Sequence, residues 1–337
     1  MRRYTYLTHS TLIIIALLTS ATWLTAQQDT SYWKRGISVG LDFTHLLQVN
    51  PKVGAGSNRI GIGSATAGFA NYRRGRAAWD NKASLLFGVQ RFGSGPLLNG
   101  EDRPFEKAVD ELRFTSNYGY KMGPDSEFYY AADLQFVSQL TPTYAGNLLS
   151  DTTAAGNAVA NARLFSPATI LFSLGVSYKP DANWNLFFSP IGSKAIIVAD
   201  DEIASIPALR NGQPTGRNIH GTEWRSPTDF ENVDYQLGAQ FRAQYTNKFL
   251  KDRLTFASGL LLYSNYLNDP QNIDVEWLSE TGFVIFKGLQ LTFTTNLFYD
   301  HDVLVQVTDY DAPGGVVGLG RRASYTQQFL LKYAIVF

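Results

Sequence analysis

Three features of the 337-residue sequence predict an all-β fold, a transmembrane antiparallel up-and-down β-barrel of about 12 strands behind a cleaved signal peptide. Hydrophobicity alternates with a period of two in segment after segment. Connections between the segments alternate between short and long. No stretch approaches the ~18 consecutive apolar residues of a membrane helix. Composition agrees, at 45% hydrophobic and 14% aromatic with only 17% charged. Such a chain buries or hides a large apolar surface and is not a disordered one. With 29 basic against 29 acidic residues it has no basic excess to hold nucleic acid. The absence of cysteine excludes disulfide scaffolds, thiolate metal sites and cysteine nucleophiles.

The amino-terminal residues read as an address. Arg2 and Arg3 form a positive start, Leu12–Leu18 a short apolar core, and Ala21–Ala26 an exit rich in small residues. Cleavage is expected between Ala26 and Gln27, which divides the chain into a signal peptide at 1–26 and a barrel domain at 27–337. Polar residues interrupt the run before the ~20 apolar positions that a membrane anchor needs.

Twelve alternating segments follow, at 36–47, 60–73, 76–92, 107–122, 127–141, 168–179, 183–199, 232–246, 252–267, 271–287, 288–302 and 323–337. In the fifth, Phe128, Tyr130, Ala132, Leu134 and Phe136 fall on one face, with Tyr129, Ala131, Asp133, Gln135 and Val137 on the other. In the eighth, Val233, Tyr235, Leu237, Ala239, Phe241, Ala243 and Tyr245 alternate with Asp234, Gln236, Gly238, Gln240, Arg242 and Gln244. Strand side chains point alternately to opposite faces, so each segment has one apolar and one polar face. A soluble sandwich shares that pattern, and connection lengths distinguish the two. Links after even-numbered strands are tight (Arg73–Arg76, Gly123–Ser126, Pro180–Ala182, Asn247–Lys251, Lys287–Gly288). Links after odd-numbered strands are mostly long (Leu47–Arg59, Gly93–Glu106, Pro142–Pro167, Asp200–Glu231, Val303–Arg322), with Asn268–Pro270 the exception. Short periplasmic turns against long outer loops are the topology of an outer-membrane barrel. Trp79, Tyr118, Tyr120, Tyr130, Trp184, Trp277 and Tyr299 near strand ends suit the membrane interfaces. The last segment places Tyr325, Phe329, Leu331, Tyr333, Ile335 and Phe337 on one face, and Tyr333, Ile335 and Phe337 look like the signal read by barrel-insertion machinery.

Five segments carry a family resemblance: Asn71–Phe92 (NYRRGRAAWDNKASLLFGVQRF), Asp110–Lys121 (DELRFTSNYGYK), Phe128–Gln139 (FYYAADLQFVSQ), Ser189–Asp200 (SPIGSKAIIVAD) and Ser264–Trp277 (SNYLNDPQNIDVEW). They resemble the domain of unknown function 3078 family, β-barrel proteins of Bacteroidota outer membranes. The resemblance runs from about Trp33 to Phe337 and implies the outer membrane of a Gram-negative envelope, but no activity. It departs from the family in the first long loop, where Val49–Ile60 (VNPKVGAGSNRI) lacks the usual Asn-Trp and paired glycines.

Chemistry has few candidates. His45, His220 and His301 are the histidines beyond the leader, with no His-x-x-x-His pair, so a zinc site is not expected. No cofactor is expected. His45, on the face of Val39, Leu41 and Phe43, is the one candidate for lipid hydrolysis on the lipid-facing wall, although an interfacial role suits it better. Gly54–Gly63 lacks the Gly-Lys-Ser/Thr ending of a phosphate loop and reads as an outer loop. The stronger lead is acidic: Asp269, Asp274, Glu276, Glu280, Asp300 and Asp302 come from strands nine to eleven or their ends. Candidate lumen residues are Arg113, Lys121, Asp133, Arg242, Asp274, Glu276, Glu280, Asp300 and Lys332. The carboxylates either select cations or bind Ca²⁺, or they pair with the lumen cations and fill the interior, the reading we favour. Asp309 and Asp311 suit a turn better than a divalent ion. The expected role is non-enzymatic: passive passage of a small polar solute through a charged lumen. The alternative is a structural barrel whose loops Pro142–Pro167 and Asp200–Glu231 bind other surface proteins. Expected partners are outer-membrane lipid and the insertion machinery, and no nucleic acid.

Overall fold

A computed structural model of the protein describes residues 32–49, 59–90, 106–151, 156, 158–210, 212–286, 289–309 and 316–336. The expected signal peptide, Gly54–Asn58 of the glycine-rich stretch, Asp311 and Phe337 lie outside the described residues.

Alternating apolar and polar positions form strands at all twelve expected places. They are β1 (Trp33–Val49), β2 (Arg59–Arg74), β3 (Ala77–Gln90), β4 (Glu106–Lys121), β5 (Phe128–Ser138), β6 (Ala168–Tyr178), β7 (Trp184–Ile197), β8 (Val233–Phe249), β9 (Leu254–Asn265), β10 (Ile273–Phe286), β11 (Leu289–Tyr299) and β12 (Ser324–Val336). Each pairs antiparallel with its sequence neighbours, and β12 pairs with β1 to close the barrel. The closing register sets Val39 opposite Ile335, Leu41 opposite Tyr333 and His45 opposite Phe329. Closure removes both sheet edges, so every strand has a partner on each side and its backbone amides are satisfied without water.

The registers keep one face consistent around the ring. Ile62, Tyr130, Phe172, Leu174, Tyr235 and Phe283 are exposed, with Tyr235 at 72% and Leu41 at 68%. Their alternating neighbours are buried: Asp133, Gln135, Ser173, Gln236, Gln240 and Arg242. The apolar side chains thus face outward and the polar ones inward, the inverse of a soluble core and the arrangement of a barrel set in lipid.

Tight connections follow from local chemistry. Between β2 and β3 the chain turns through Gly75 and Arg76, with Gly75 at φ 56°, a conformation that costs glycine little. At the opposite end the long connections have structure of their own. Asp200 caps the short helix α1 (Asp201–Ala204) by accepting from the Ile203 amide at 3.1 Å, and it also holds Arg163 at 2.7 Å. Ala160, Val198, Ile203 and Ala204 form a small buried core, with Tyr144, Ile219 and Phe230 packed against it. Hairpins pair Pro207–Arg210 with Gln213–Asn218 and Trp224–Ser226 with Asp229–Phe230. Trp224 Nε1 donates to the Ser205 carbonyl at 2.7 Å. These contacts join the two longest connections into one cap over that end of the barrel.

Candidate functional site

The interior is held by hydrogen-bonded charges that reach between strands that are not neighbours. Arg242 on β8 binds Asp133 on β5 through both terminal nitrogens, at 2.9 and 2.7 Å. Asn117 on β4 and Gln135 on β5 donate to the same carboxylate at 3.1 and 2.9 Å. Four donors on one buried anion are what a carboxylate removed from water requires. Ser173 on β6 hydrogen-bonds Gln240 on β8 across the intervening β7. Phe187 of β7 also turns inward, is 0% exposed, and lies 5.6 Å under the Arg242 guanidinium. Nearer the capped end, Arg113 on β4 binds Glu276 on β10 at 3.2 Å and Glu111 at 3.0 Å. Lys194 on β7 sits between Asp274 at 3.1 Å and Asp300 at 3.0 Å, over the ring of Tyr263.

Lys194 was not among the residues expected inside. Counted by strict alternation from Phe187, it falls on the outer face with Leu186 and Phe188. The pairings show why it does not. Gly238 and Gln240 of β8 face Gly192 and Ser189, and Leu174 and Val176 of β6 face Ile191 and Phe188. One extra residue of β7 is therefore accommodated near Pro190, a β-bulge that inverts the count beyond it. Ser189 stabilises the bulge, donating toward the Leu174 and Ile191 carbonyls at 2.7 Å. Gly175 is required opposite, because a Cβ there would lie 2.0 Å from the Phe188 carbonyl oxygen. The sequence did carry a signal, since proline inside a strand marks a bulge or an edge.

Above the Asp133–Arg242 bridge is a cavity of about 350 Å³. Its wall holds Asp110, Glu111, Asp274, Glu276 and Asp300 with Arg113 and Lys194, alongside Leu171, Leu261 and Phe298. Ile219 and His220 reach it from the cap. His220 donates from Nε2 to the Asn161 carbonyl at 2.7 Å, tying the two long connections together. Burial there pushes its imidazole down to about 4, against the weaker opposing effect of that hydrogen bond.

The remaining expected residues are more scattered. Glu280 lies on the same face of β10 as Asp274 and Glu276, nearer the tight turn, and is exposed. Lys121 ends β4 and donates to the Pro124 carbonyl at 3.1 Å in the turn, away from the charged cluster. Lys332 pairs in register with Gln290; its side chain, like those of His45, Tyr333 and Ile335, is outside the described part. Asp302 donates its amide to Asp300 Oδ1 at 2.9 Å. Among the described residues, no group of three or more His, Asp or Glu is placed to hold a metal ion.

Residues 49–144 match a family described as "Protein of unknown function (DUF3078)". The match contains β2 to β5, whereas the Ser189–Asp200 and Ser264–Trp277 segments of the resemblance lie beyond it. No curated protein matches. Among solved structures, an outer-membrane channel from Pseudomonas putida F1 is 11% identical over 91% of this chain and 97% of that one, at a TM-score of 0.36. Outer membrane phospholipase A from Escherichia coli, as an active-site mutant, is 8% identical over 92% and 94%, at 0.40. An anion-selective porin from Comamonas acidovorans is 12% identical over 90% and 100%, at 0.32. Likenesses of this size say nothing about this chain's activity.

Proposed function

We propose that the protein is an outer-membrane barrel that passes a small polar solute through its charged lumen. The observation that carries this reading is the 350 Å³ cavity, whose wall holds five carboxylates with Arg113 and Lys194, while Lys107 behind it neutralises Asp110 at 2.8 Å. Every cation there is already matched, so the surplus negative charge favours cations and polar molecules bearing an amine. An apolar exterior joined to a polar interior supports placement in the outer membrane, where strands of 11 to 17 residues exceed the ~9–11 a tilted crossing needs. Below the cavity the Asp133–Arg242 side is packed shut. We place the passage instead beside β2, β3 and β10, a reading supported by the inward-facing Lys82 and Glu280, which stay exposed.

Planar-bilayer recording tests this. Wild-type protein should conduct with a preference for cations. Asp274→Asn with Glu276→Gln should remove or reverse that preference, because Lys194 and Arg113 each lose one of their two carboxylates. A folded barrel that stays electrically silent at every voltage would refute passage.

The cap favours a second reading, a barrel that binds other surface proteins. It has its own core, yet Val159, Leu164, Phe165 and Leu209 remain exposed on it. Removing 201–231 should then abolish co-purification with a partner while leaving barrel assembly intact.

A further inference from the structure

The tight-turn end of β1 to β4 carries a second charged surface, on the outer face of the barrel. Trp33 packs against Tyr72 and Trp79 at 5.1 and 5.6 Å, and Tyr32 meets Tyr72 at 6.1 Å. The registers Trp33↔Tyr72, Tyr72↔Trp79 and Trp79↔Tyr118 set these rings side by side on the face that also carries Leu41 and Ile62. Three guanidiniums rest on this aromatic surface. Arg35 lies 5.6 Å over Trp33, Arg74 4.9 Å over Tyr32, and Arg76 4.7 Å over Tyr120. Arg35 and Arg74 are exposed. Arg76 is partly spent on the turn, donating to the Lys121 and Met122 carbonyls.

No carboxylate among the described residues pairs with these three arginines. Asp80, the acid nearest to Arg74 and Arg76 in sequence, points inward and is held by Arg73 at 2.5 Å and Lys179 at 3.8 Å. The result is an uncompensated positive patch lying along the rings that mark the edge of the apolar belt. In water a guanidinium on an aromatic face is common and needs no anion. At the border of hydrocarbon, where the dielectric falls, it does need one. Its planar fork matches a phosphate group with two parallel hydrogen bonds.

We propose that this surface binds the phosphate of an anionic phospholipid in the leaflet at the turn end. A lipid presents phosphate and acyl chain together, so it covers the arginines and the exposed rings at once. A free phosphate would leave the rings bare, and a soluble acidic protein would have to displace lipid from them. The inference rests on the membrane placement proposed above and is independent of conduction.

Native mass spectrometry of the detergent-purified full chain, offered equal phosphatidylglycerol and phosphatidylcholine, tests it. Phosphatidylglycerol should be retained over phosphatidylcholine by roughly tenfold or more, and the preference should fade as salt rises. Arg35→Gln with Arg74→Gln should bring retention close to parity, while Arg35→Lys with Arg74→Lys should keep part of it. Arg225→Gln, a cap arginine paired with Asp229 and Glu223, should change nothing. Equal retention of both lipids by wild type would overturn the proposal, and so would full preference in the double Gln variant. Displacement of the lipid by inorganic phosphate alone would also overturn it, as a phosphate site without lipid. Should the double variant fail to fold, the wild-type preference and its salt dependence decide. A chain that stays monomeric without detergent would remove the membrane placement, a result the lipid comparison does not mimic.

Discussion

Two walls of the same barrel solve the same problem differently. Along β5 to β8 many inward side chains are polar or large and are closed off from solvent: Asp133, Gln135, Ser173, Ser177, Phe187, Gln236, Gln240 and Arg242 are all buried. Along β1 to β3 many are small, with Gly36, Gly40, Gly61, Gly63, Ala65, Ala67, Ser84 and Gly88 on the inner face beside the larger Phe69 and Leu86. Lys82, set among them, stays exposed. The outer faces of both walls carry exposed apolar side chains, Ile37, Val39, Leu41 and Ile62 on one and Tyr130, Phe172, Leu174 and Tyr235 on the other. The difference lies in what fills the middle. Alternation dictates which residues face inward, but their volume decides whether that side of the lumen is a strut or a space.

The largest test of this contrast is removal of a strut. Asp133→Ala leaves the Arg242 charge buried without its carboxylate and should cost about 3–5 kcal/mol. Ser84→Ala on the opposite wall should stay within about 0.5 kcal/mol. Denaturant unfolding of the refolded barrel in detergent measures both, and equal costs would erase the distinction. Next comes Gly175→Ala, whose added methyl would meet the Phe188 carbonyl at 2.0 Å and should cost about 1–3 kcal/mol. Gly40→Ala, with its nearest neighbour at 3.8 Å, should be accepted by the same assay.

Ala67→Leu sharpens the comparison from the other side. It should reduce single-channel current severalfold while barely shifting stability, because it narrows a space and breaks no bond. A variant that unfolds, or conducts unchanged, would argue that the small-residue wall lines no passage.

The smallest effect concerns the cap. The His220 imidazole is held at about 4 when docked and returns to the ordinary histidine value, near 6.5, once released. Between those values the released form binds more protons, so falling pH favours release. Docking should be fully stable above about pH 6.5 and weaken steadily as pH drops toward 4. Hydrogen exchange at the Asn218 and Gly221 amides, both bonded within the cap, reports this directly. In His220→Gln the slope should flatten.

The strands were legible because a barrel wall imposes one rule at every position. All twelve segments fall where the alternation put them, and the fifth and eighth present the expected faces. Legibility ended at three kinds of feature. The pairing of Asp133 with Arg242 joins residues 109 apart, and no local pattern encodes which charge meets which across a lumen. Lys194 was lost to the bulge, a single extra residue that an unbroken count carries forward as an error. The cap hairpins are short and lack alternation, because loop segments packed on one another answer to no lipid. Of these, only the bulge left a visible mark, in Pro190.

That bulge has a consequence for how β7 tolerates change. Deleting Pro190 would straighten the strand yet leave Lys194 looking the same way, because pairing on both sides already discounts the surplus residue. Inserting one residue between Ile191 and Lys194 would do the opposite and swing the ammonium into hydrocarbon. The upper half of β7 can therefore shorten by one but not lengthen by one, an asymmetry no hydropathy profile displays.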